Sequence, residues 1–316
     1  MRRLTIVAVL ALAAGSALAT TCSAQQEVPL AFKFVAGDVN QYDLSISGAA
    51  SLVAMGNQVT PVSVRGNVSL TQTVTQVFPD GSGRIETRIP SGEVTIVVDK
   101  DQAKFSYANG QMRWFANGKE SSPPQGGLDK LPFLGTPVVY TMMPDGRAKD
   151  VALADPRLME EAFKALPKLD FAAMQSMGEA VFPTTPVKIG ETWRHSAQLA
   201  PFPGFPFLFT SSRTLDSYAD AGGIGLAKIV GAADTRYVGS PTPPMLPGIP
   251  GMSDASVSIS EIRQTVNSTE FFDTTNGRLM RGDYDVAFSA SFAAKSQKEE
   301  KTAGITARLR VNVQSR

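Results

Sequence analysis

The sequence predicts an α+β fold: a long curved antiparallel sheet, in two duplicated halves, wrapped around a central pair of helices. Three observations predict it. Apolar and polar residues alternate with period two over most of the chain. Helical spacing is confined to one central stretch. A strand, a Gly-acid turn and a second strand occur twice, at Phe32–Ile46 and again at Pro186–Leu199.

The chain opens with Met1-Arg2-Arg3, an apolar run from Leu4 to Ala14, and then small residues, which is the grammar of an export signal. The run is about half the ~20 residues of a membrane-spanning helix, and no later run approaches that length. Cleavage is expected after Ala24, so residues 1–24 are read as signal peptide and the chain as exported, periplasmic or extracellular, with no transmembrane span in the mature part. Cys22 is the only cysteine. The alternative cut before it would leave Cys22 as a lipidated first residue, but Ala19 and Thr21 are poor flanks for that processing. With the cut after Ala24, disulfides and thiolate chemistry are excluded from the mature protein.

The first β-rich half is assigned to residues 25–153. Tyr42, Leu44 and Ile46 share one face against Gln41, Asp43 and Ser45, and Val62, Val64, Val68 and Leu70 alternate with Ser63, Arg65, Asn67 and Ser69. Turn residues separate the runs at Pro79-Asp80-Gly81, Asp99-Lys100-Asp101, Asn109-Gly110 and Asn117-Gly118, so hairpins and an antiparallel sheet are expected. Residues 154–182 are assigned to the central helices. Asp155-Pro156 reads as an N-cap with proline at the first helical position, followed by Leu158, Met159, Ala162, Phe163 and Leu166 at helical spacing; Pro167 stops it, and a second helix is read from Asp170 to Val181. The second β-rich half is residues 183–316. Tyr218 to Gly223 stands where Phe78 to Gly83 stands in the first half, and Asn276-Gly277-Arg278 mirrors Asp145-Gly146-Arg147. Chance alignment of turn residues is the alternative to duplication.

The 30 basic and 29 acidic residues leave a formal charge of +1, with no basic stripe, which excludes nucleic acid as a partner. His195 is the only histidine, so triads and metal sites that need a second imidazole are excluded. Asp99-Lys100-Asp101 lacks the continuation of a calcium loop. Scattered acids such as Asp38, Glu86, Glu191, Asp283 and Asp285 read as solvated strand and turn positions, with paired-carboxylate glycoside hydrolysis as the enzymatic alternative. No catalytic residue, metal ligand or cofactor is assigned.

Two proline-stiffened apolar segments stand out, Ala200–Phe209 and Pro241–Met252. Both are read as loops that either plug the core or form a greasy rim. Phe202, Phe205, Phe207, Phe209, Met245, Leu246 and Met252, with Met174 and Met177 from the helices, are the candidate ligand-binding residues.

The stretches F-K-F-V-A-G-D (Phe32–Asp38) and F-P-T-T-P-V-K-I-G-E-T-W (Phe182–Trp193) resemble signatures of an uncharacterised family of exported bacterial proteins. That family is similar, more remotely, to the lipoprotein-carrier superfamily (LolA-like), in which a half-barrel sheet shelters acyl chains around helices. The resemblance implies the curved sheet and a lipid or other apolar ligand, and it transfers no catalytic residue. The expected function is therefore a non-enzymatic exported binding protein for a hydrophobic or amphipathic ligand. The alternative is an envelope structural or assembly protein that binds a protein partner.

Overall fold

In the computed structural model the described residues are 26–53, 58–122, 135–155, 157, 181–202, 205–240, 256–295 and 300–316. Every element they form is a strand. The first half contributes β1 (Glu27–Val28), β2 (Val39–Val53), β3 (Val59–Val77), β4 (Gly83–Val98), β5 (Asp101–Ala108), β6 (Gln111–Ala116), β7 (Lys119–Ser121), β8 (Val138–Met142) and β9 (Ala148–Leu153). The second contributes β10 (Val187–Lys188), β11 (Thr192–Phe202), β12 (Phe205–Ala221), β13 (Ile224–Tyr237), β14 (Ser256–Asp273), β15 (Arg278–Lys295) and β16 (Glu300–Ser315). The α+β expectation is corrected to an all-β fold. The predicted helices fall at 156 and 158–180, outside the described residues. Arg157 N–H donates to Asp155 Oδ1 at 3.0 Å.

One sheet of fourteen strands holds both halves, in the order β11-β12-β13-β14-β15-β16-β2-β3-β4-β5-β6-β7, with the β8–β9 hairpin branching from β4. All its pairings are antiparallel, and β16 joins the halves by pairing with β2 from Ser315↔Tyr42 to Gly304↔Val53. The hairpin turns follow from local chemistry. Asn109-Gly110 and Asn117-Gly118 have φ of 53° and 76°, and 48° and 80°, the positive pair that a two-residue hairpin with right-handed strand twist demands.

The Gly-acid turns are superimposable in their hydrogen bonds. Gly37 N–H donates to Val74 O (2.8 Å), Asp38 N–H to Val35 O (3.1 Å) and Val74 N–H to Asp38 O (2.9 Å); in the second half Gly190 donates to Leu215 O (2.7 Å), Glu191 to Lys188 O (2.9 Å) and Leu215 to Glu191 O (3.1 Å). Both glycines sit at positive φ, 91° and 85°. In each half a register shift follows directly after the anchored residue, at Val74/Gln76 and at Leu215/Ser217. Short β1 and β10 pair with each other, tying the two turns into one strap.

The main core lies where this strap crosses one end of the sheet. Val28, Leu30, Phe182 and Val187 from the strap pack on Leu215, Ala227, Ile229 and Phe272 from β12, β13 and β14. Phe32 stacks on Phe182 at 5.3 Å and meets Phe272 edge-on at 5.2 Å. At this end, extended chain fills the sheet face that the sequence assigned to helices. Backbone bonds fix the strap: Phe32 N–H to Pro144 O at 2.8 Å, Lys33 N–H to Gly277 O at 3.2 Å and Phe182 N–H to Asp145 O at 2.8 Å. A smaller cluster of Val74, Ile85 and Tyr140 repeats the arrangement beneath Phe34.

Two substitutions test this account. Leu215→Ala removes a fully buried side chain (0% exposed) and is expected to cost roughly 2–5 kcal/mol. Gly277→Ala is expected to loosen the strap, because a Cβ at its φ of 64° would collide with the backbone of Lys33. Urea unfolding checks both, and Gly277→Ala should also raise hydrogen exchange at Lys33 while sparing the β2–β16 ladder.

Candidate functional site: two sheet faces and a cavity under the strap

Register places the apolar residues of neighbouring strands in common rows. Across β15, β16, β2, β3 and β4 these run Val286–Leu309–Gly48–Val64–Ile96 and Tyr284–Val311–Ile46–Gly66–Val94. From Leu44 to Leu52 this face carries no charged residue in these five strands, a band about 27 Å long at roughly 3.4 Å per residue. Its side chains are half-buried in the strand middles, and Leu52, Ile96 and Val98 are 37–39% exposed towards the far end. Gly48 and Gly66 keep the sheet close-packed, since a Cβ at either position would press on the neighbouring strand.

The opposite face is charged and wet. Arg310 pairs with Asp285 at 3.0 Å, Arg263 with Asp234 at 2.7 Å and Lys104 with Glu93 at 2.8 Å, all across adjacent strands. Such exposed pairs contribute little stability each, about 0–1 kcal/mol, so they solubilise this face rather than hold the sheet. A shallow groove of about 670 Å³ crosses it between Arg263, Thr265, Thr306 and Arg308.

A second feature is a cavity of about 600 Å³ at the strap end, on the apolar side. Phe34, Phe272 and Leu44 are among its apolar walls; Tyr42, Tyr284, Glu270 and Arg278 line it together with further polar residues that include Lys33 and Asp38. Glu270 is 2% exposed and is neutralised by Arg213, whose Nη2 lies 3.4 Å from Oε1. Burying such a pair is tolerable only while both partners remain. Asp273, 1% exposed, accepts bonds from Thr275 N–H, Asn276 N–H and the Asn276 amide at 2.8–2.9 Å. Burial alone would raise its carboxyl, but the Asn276 and Thr275 donors and the nearby Arg278 outweigh it and hold the group below the usual carboxylate range. Among the described residues, no group of three or more His, Cys, Asp or Glu is placed to hold a metal.

The sequence-predicted ligand residues do not gather at this cavity. Ala200–Phe209 is not a loop: Phe202 ends β11 and Phe205 begins β12, and the two are paired partners. Phe205 and Phe209 are buried at 6% and 2% exposure; Phe205 and Phe207 pack on Tyr237 at 6.0 and 5.7 Å. Spacing by two overrode the proline signal, because alternate phenylalanines fill one sheet face. Met174, Met177, Met245, Leu246, Met252 and Cys22 lie outside the described residues. Sequence reasoning missed Arg278, Tyr42 and Tyr284 as a group, since 242 positions separate the outermost two and only register brings them to one face.

No family model matches the chain, and no curated protein matches it. Among solved structures, the crystal structure of Pseudomonas aeruginosa OccK5 (OpdH) aligns over 88% of this chain and 98% of its own, with 8% identity and a TM-score of 0.22. Pseudomonas aeruginosa OpdQ covers 88% and 99% at 7% identity and a TM-score of 0.20. An outer membrane channel from Pseudomonas putida F1 covers 93% and 100% at 7% identity and a TM-score of 0.17. At such scores the superpositions carry no argument.

The expectation of a soluble periplasmic carrier, with a half-barrel sheltering a lipid or other apolar ligand, is overturned. Its helices are not part of the described fold, Phe205, Phe207 and Phe209 pack on neighbouring side chains of the sheet, and the cavity under the strap is lined by other residues. The expected absence of a transmembrane span is corrected with it. That expectation counted apolar runs, and no described helix is long and apolar enough to cross a membrane; strands cross with alternate residues only, so their hydropathy averages out and no run appears. The chain is an exported one, as residues 1–24 indicate.

The depressed Asp273 carboxyl gives a pH prediction. A group whose folded pKa lies below its unfolded value, about 3.9, stabilises the fold above that value and loses the contribution as pH falls through the folded pKa. Urea midpoints of the wild type are expected to fall below about pH 4, and Asp273→Asn is expected to show a shallower acid decline.

Proposed function

We propose that this protein is a non-enzymatic, membrane-embedded β protein of the bacterial outer envelope, with its apolar sheet face against hydrocarbon and its charged face lining an aqueous path. The single observation that carries the reading is the segregation of faces. Over five adjacent strands, one face is free of charge for about 27 Å of strand, while the other bears Asp285, Arg310, Arg308, Arg65 and Glu93. Outer-membrane strands alternate in this way, apolar outward and polar inward, with an apolar band about 25 Å tall. Closed sheets and helices are the structures whose backbone is satisfied in lipid. The edge strands β7 and β11 must therefore be hydrogen-bonded on insertion, either to each other or to a second copy.

Fractionation tests this directly. Protein expressed with its signal is expected in carbonate-resistant outer membrane, and the purified protein is expected to give stepwise conductance in planar bilayers; recovery in the soluble fraction with no conductance would sink the proposal. Leu309→Arg, in the apolar band, is expected to cost about 2–4 kcal/mol of insertion, whereas Ser47→Arg on the polar face should insert as the wild type does.

A further inference from the structure

We infer that Asn109 is a site of spontaneous deamidation, with the backbone nitrogen of Gly110 as nucleophile, and that the isoaspartate it yields opens the hairpin at one edge of the sheet. The inference is independent of how the sheet meets the membrane.

The sequence holds Asn-Gly pairs at 109–110, 117–118 and 276–277. Glycine makes each pair reactive in an open chain, because no Cβ shields its nitrogen. That nitrogen gives up its proton and bonds to the asparagine Cγ; the Cγ–Nδ2 bond breaks and ammonia leaves. Water then opens the cyclic imide at either carbonyl. The product is aspartate, or isoaspartate whose main chain runs through Cβ and Cγ, and either adds one negative charge.

Tertiary structure separates the three pairs. Ala108-Asn109-Gly110 and Ala116-Asn117-Gly118 are the same tripeptide, and both are exposed. Their turns have nearly equal φ, 53° and 76° against 48° and 80°, so intrinsic chemistry and access to water are matched. What differs is tethering. Asn117 Oδ1 accepts from Gln102 N–H at 2.7 Å, its Nδ2 donates to Asp101 Oδ1 at 3.2 Å, and its own N–H donates to Gln102 O at 2.8 Å. Asn276 donates to Asp273 through N–H and side-chain amide at 2.9 and 2.8 Å, and Gly277 is pressed against the backbone of Lys33. The Asn109 side chain has no hydrogen-bond partner among the described residues. Attack requires the amide group to swing over the glycine nitrogen. At 117 and 276 that swing first breaks side-chain bonds, and at 109 it breaks none.

The place of this turn gives the reaction a consequence. β5 and β6 pair from Ala108↔Gln111 to Ala103↔Ala116, and the two-residue turn sets that register. Isoaspartate inserts one more backbone carbon into the turn, which then no longer closes on the same partners. β6 in turn carries β7, the last strand on this side of the sheet. Aspartate tolerates the left-handed backbone angle as asparagine does. The added charge therefore leaves the edge intact, and the added carbon opens it.

The test ages the full mature chain at mildly alkaline pH, folded and in urea, and follows the three asparagines by peptide mass spectrometry with chromatographic separation of aspartyl from isoaspartyl forms. In the folded protein Asn109 is expected to react about tenfold or more faster than Asn117 and Asn276. In urea the two Ala-Asn-Gly sites are expected to react at the same rate within error. Asp101→Ala, which frees Nδ2 of Asn117, is expected to raise the Asn117 rate severalfold in the folded protein. Hydrogen exchange of the isoaspartyl fraction is expected to show lost protection over Gln111–Ala116, with protection kept in Asn109→Asp. Equal rates at 109 and 117 in the folded protein, or a difference that survives in urea, overturns the site. No rise at Asn117 in Asp101→Ala overturns tethering as its cause, and unchanged exchange in the isoaspartyl fraction overturns the effect on the edge.

Discussion

The pairing of β16 with β2 is the contact on which everything else in this molecule depends. It runs for twelve partners, from Ser315↔Tyr42 to Gly304↔Val53, and it turns two separate meanders into one sheet. Without it the rows of apolar side chains would stop at β2 on one side and β16 on the other. Its backbone bonds are ordinary, but they join residues more than 250 positions apart, so the closure entropy is met only late in folding. Arg316 reinforces the end of the ladder by gripping Asp43, with Nε 2.6 Å from Oδ2.

The repeated Gly-acid turn makes that long closure tractable. Each half begins with the same three-bond Gly-acid turn, which locks the start of a strand to a buried residue on the neighbouring strand, Val74 or Leu215. These turns are local commitments that do not wait for the other half. The strap formed by β1 and β10 then links them, and its apolar residues cover one end of the sheet with a core that is small but fully dry. The halves are not equal. In the first, β4 pairs with β8 near its start and with β5 further along, so β5, β6 and β7 extend an edge for which the second half has no counterpart among the described residues.

Stability and chemistry are concentrated at the strap end, while the far end consists of sheet with one bare apolar face. The buried Arg213–Glu270 pair, the saturated Asp273 and the orphan Nε of Arg278 all sit near the strap. Away from it the polar face is dressed with exposed ion pairs, which set its affinity for water rather than the energy of folding.

Much of the local structure was legible in the sequence. Period-two alternation gave the strands, Asn-Gly pairs gave the hairpins at 109–110 and 117–118, and Gly37 and Gly190 marked equivalent turns, because each of these signals is a property of a few adjacent residues. The phenylalanines at 205, 207 and 209 were misread through the prolines around them, although their own spacing already described a strand. What only the tertiary structure decided was non-local. The order of strands and the cavity lined by Tyr42, Arg278 and Tyr284 follow from register across β14, β15, β16 and β2, and the extended strap that covers the core follows from its own backbone bonds. Shifting one pairing by a single residue would invert a face while leaving every local signal unchanged. The sequence by itself therefore determined the strands and turns of this exported protein. Which side chains share each face of the sheet was settled by backbone pairing between residues that have no sequence relation to one another.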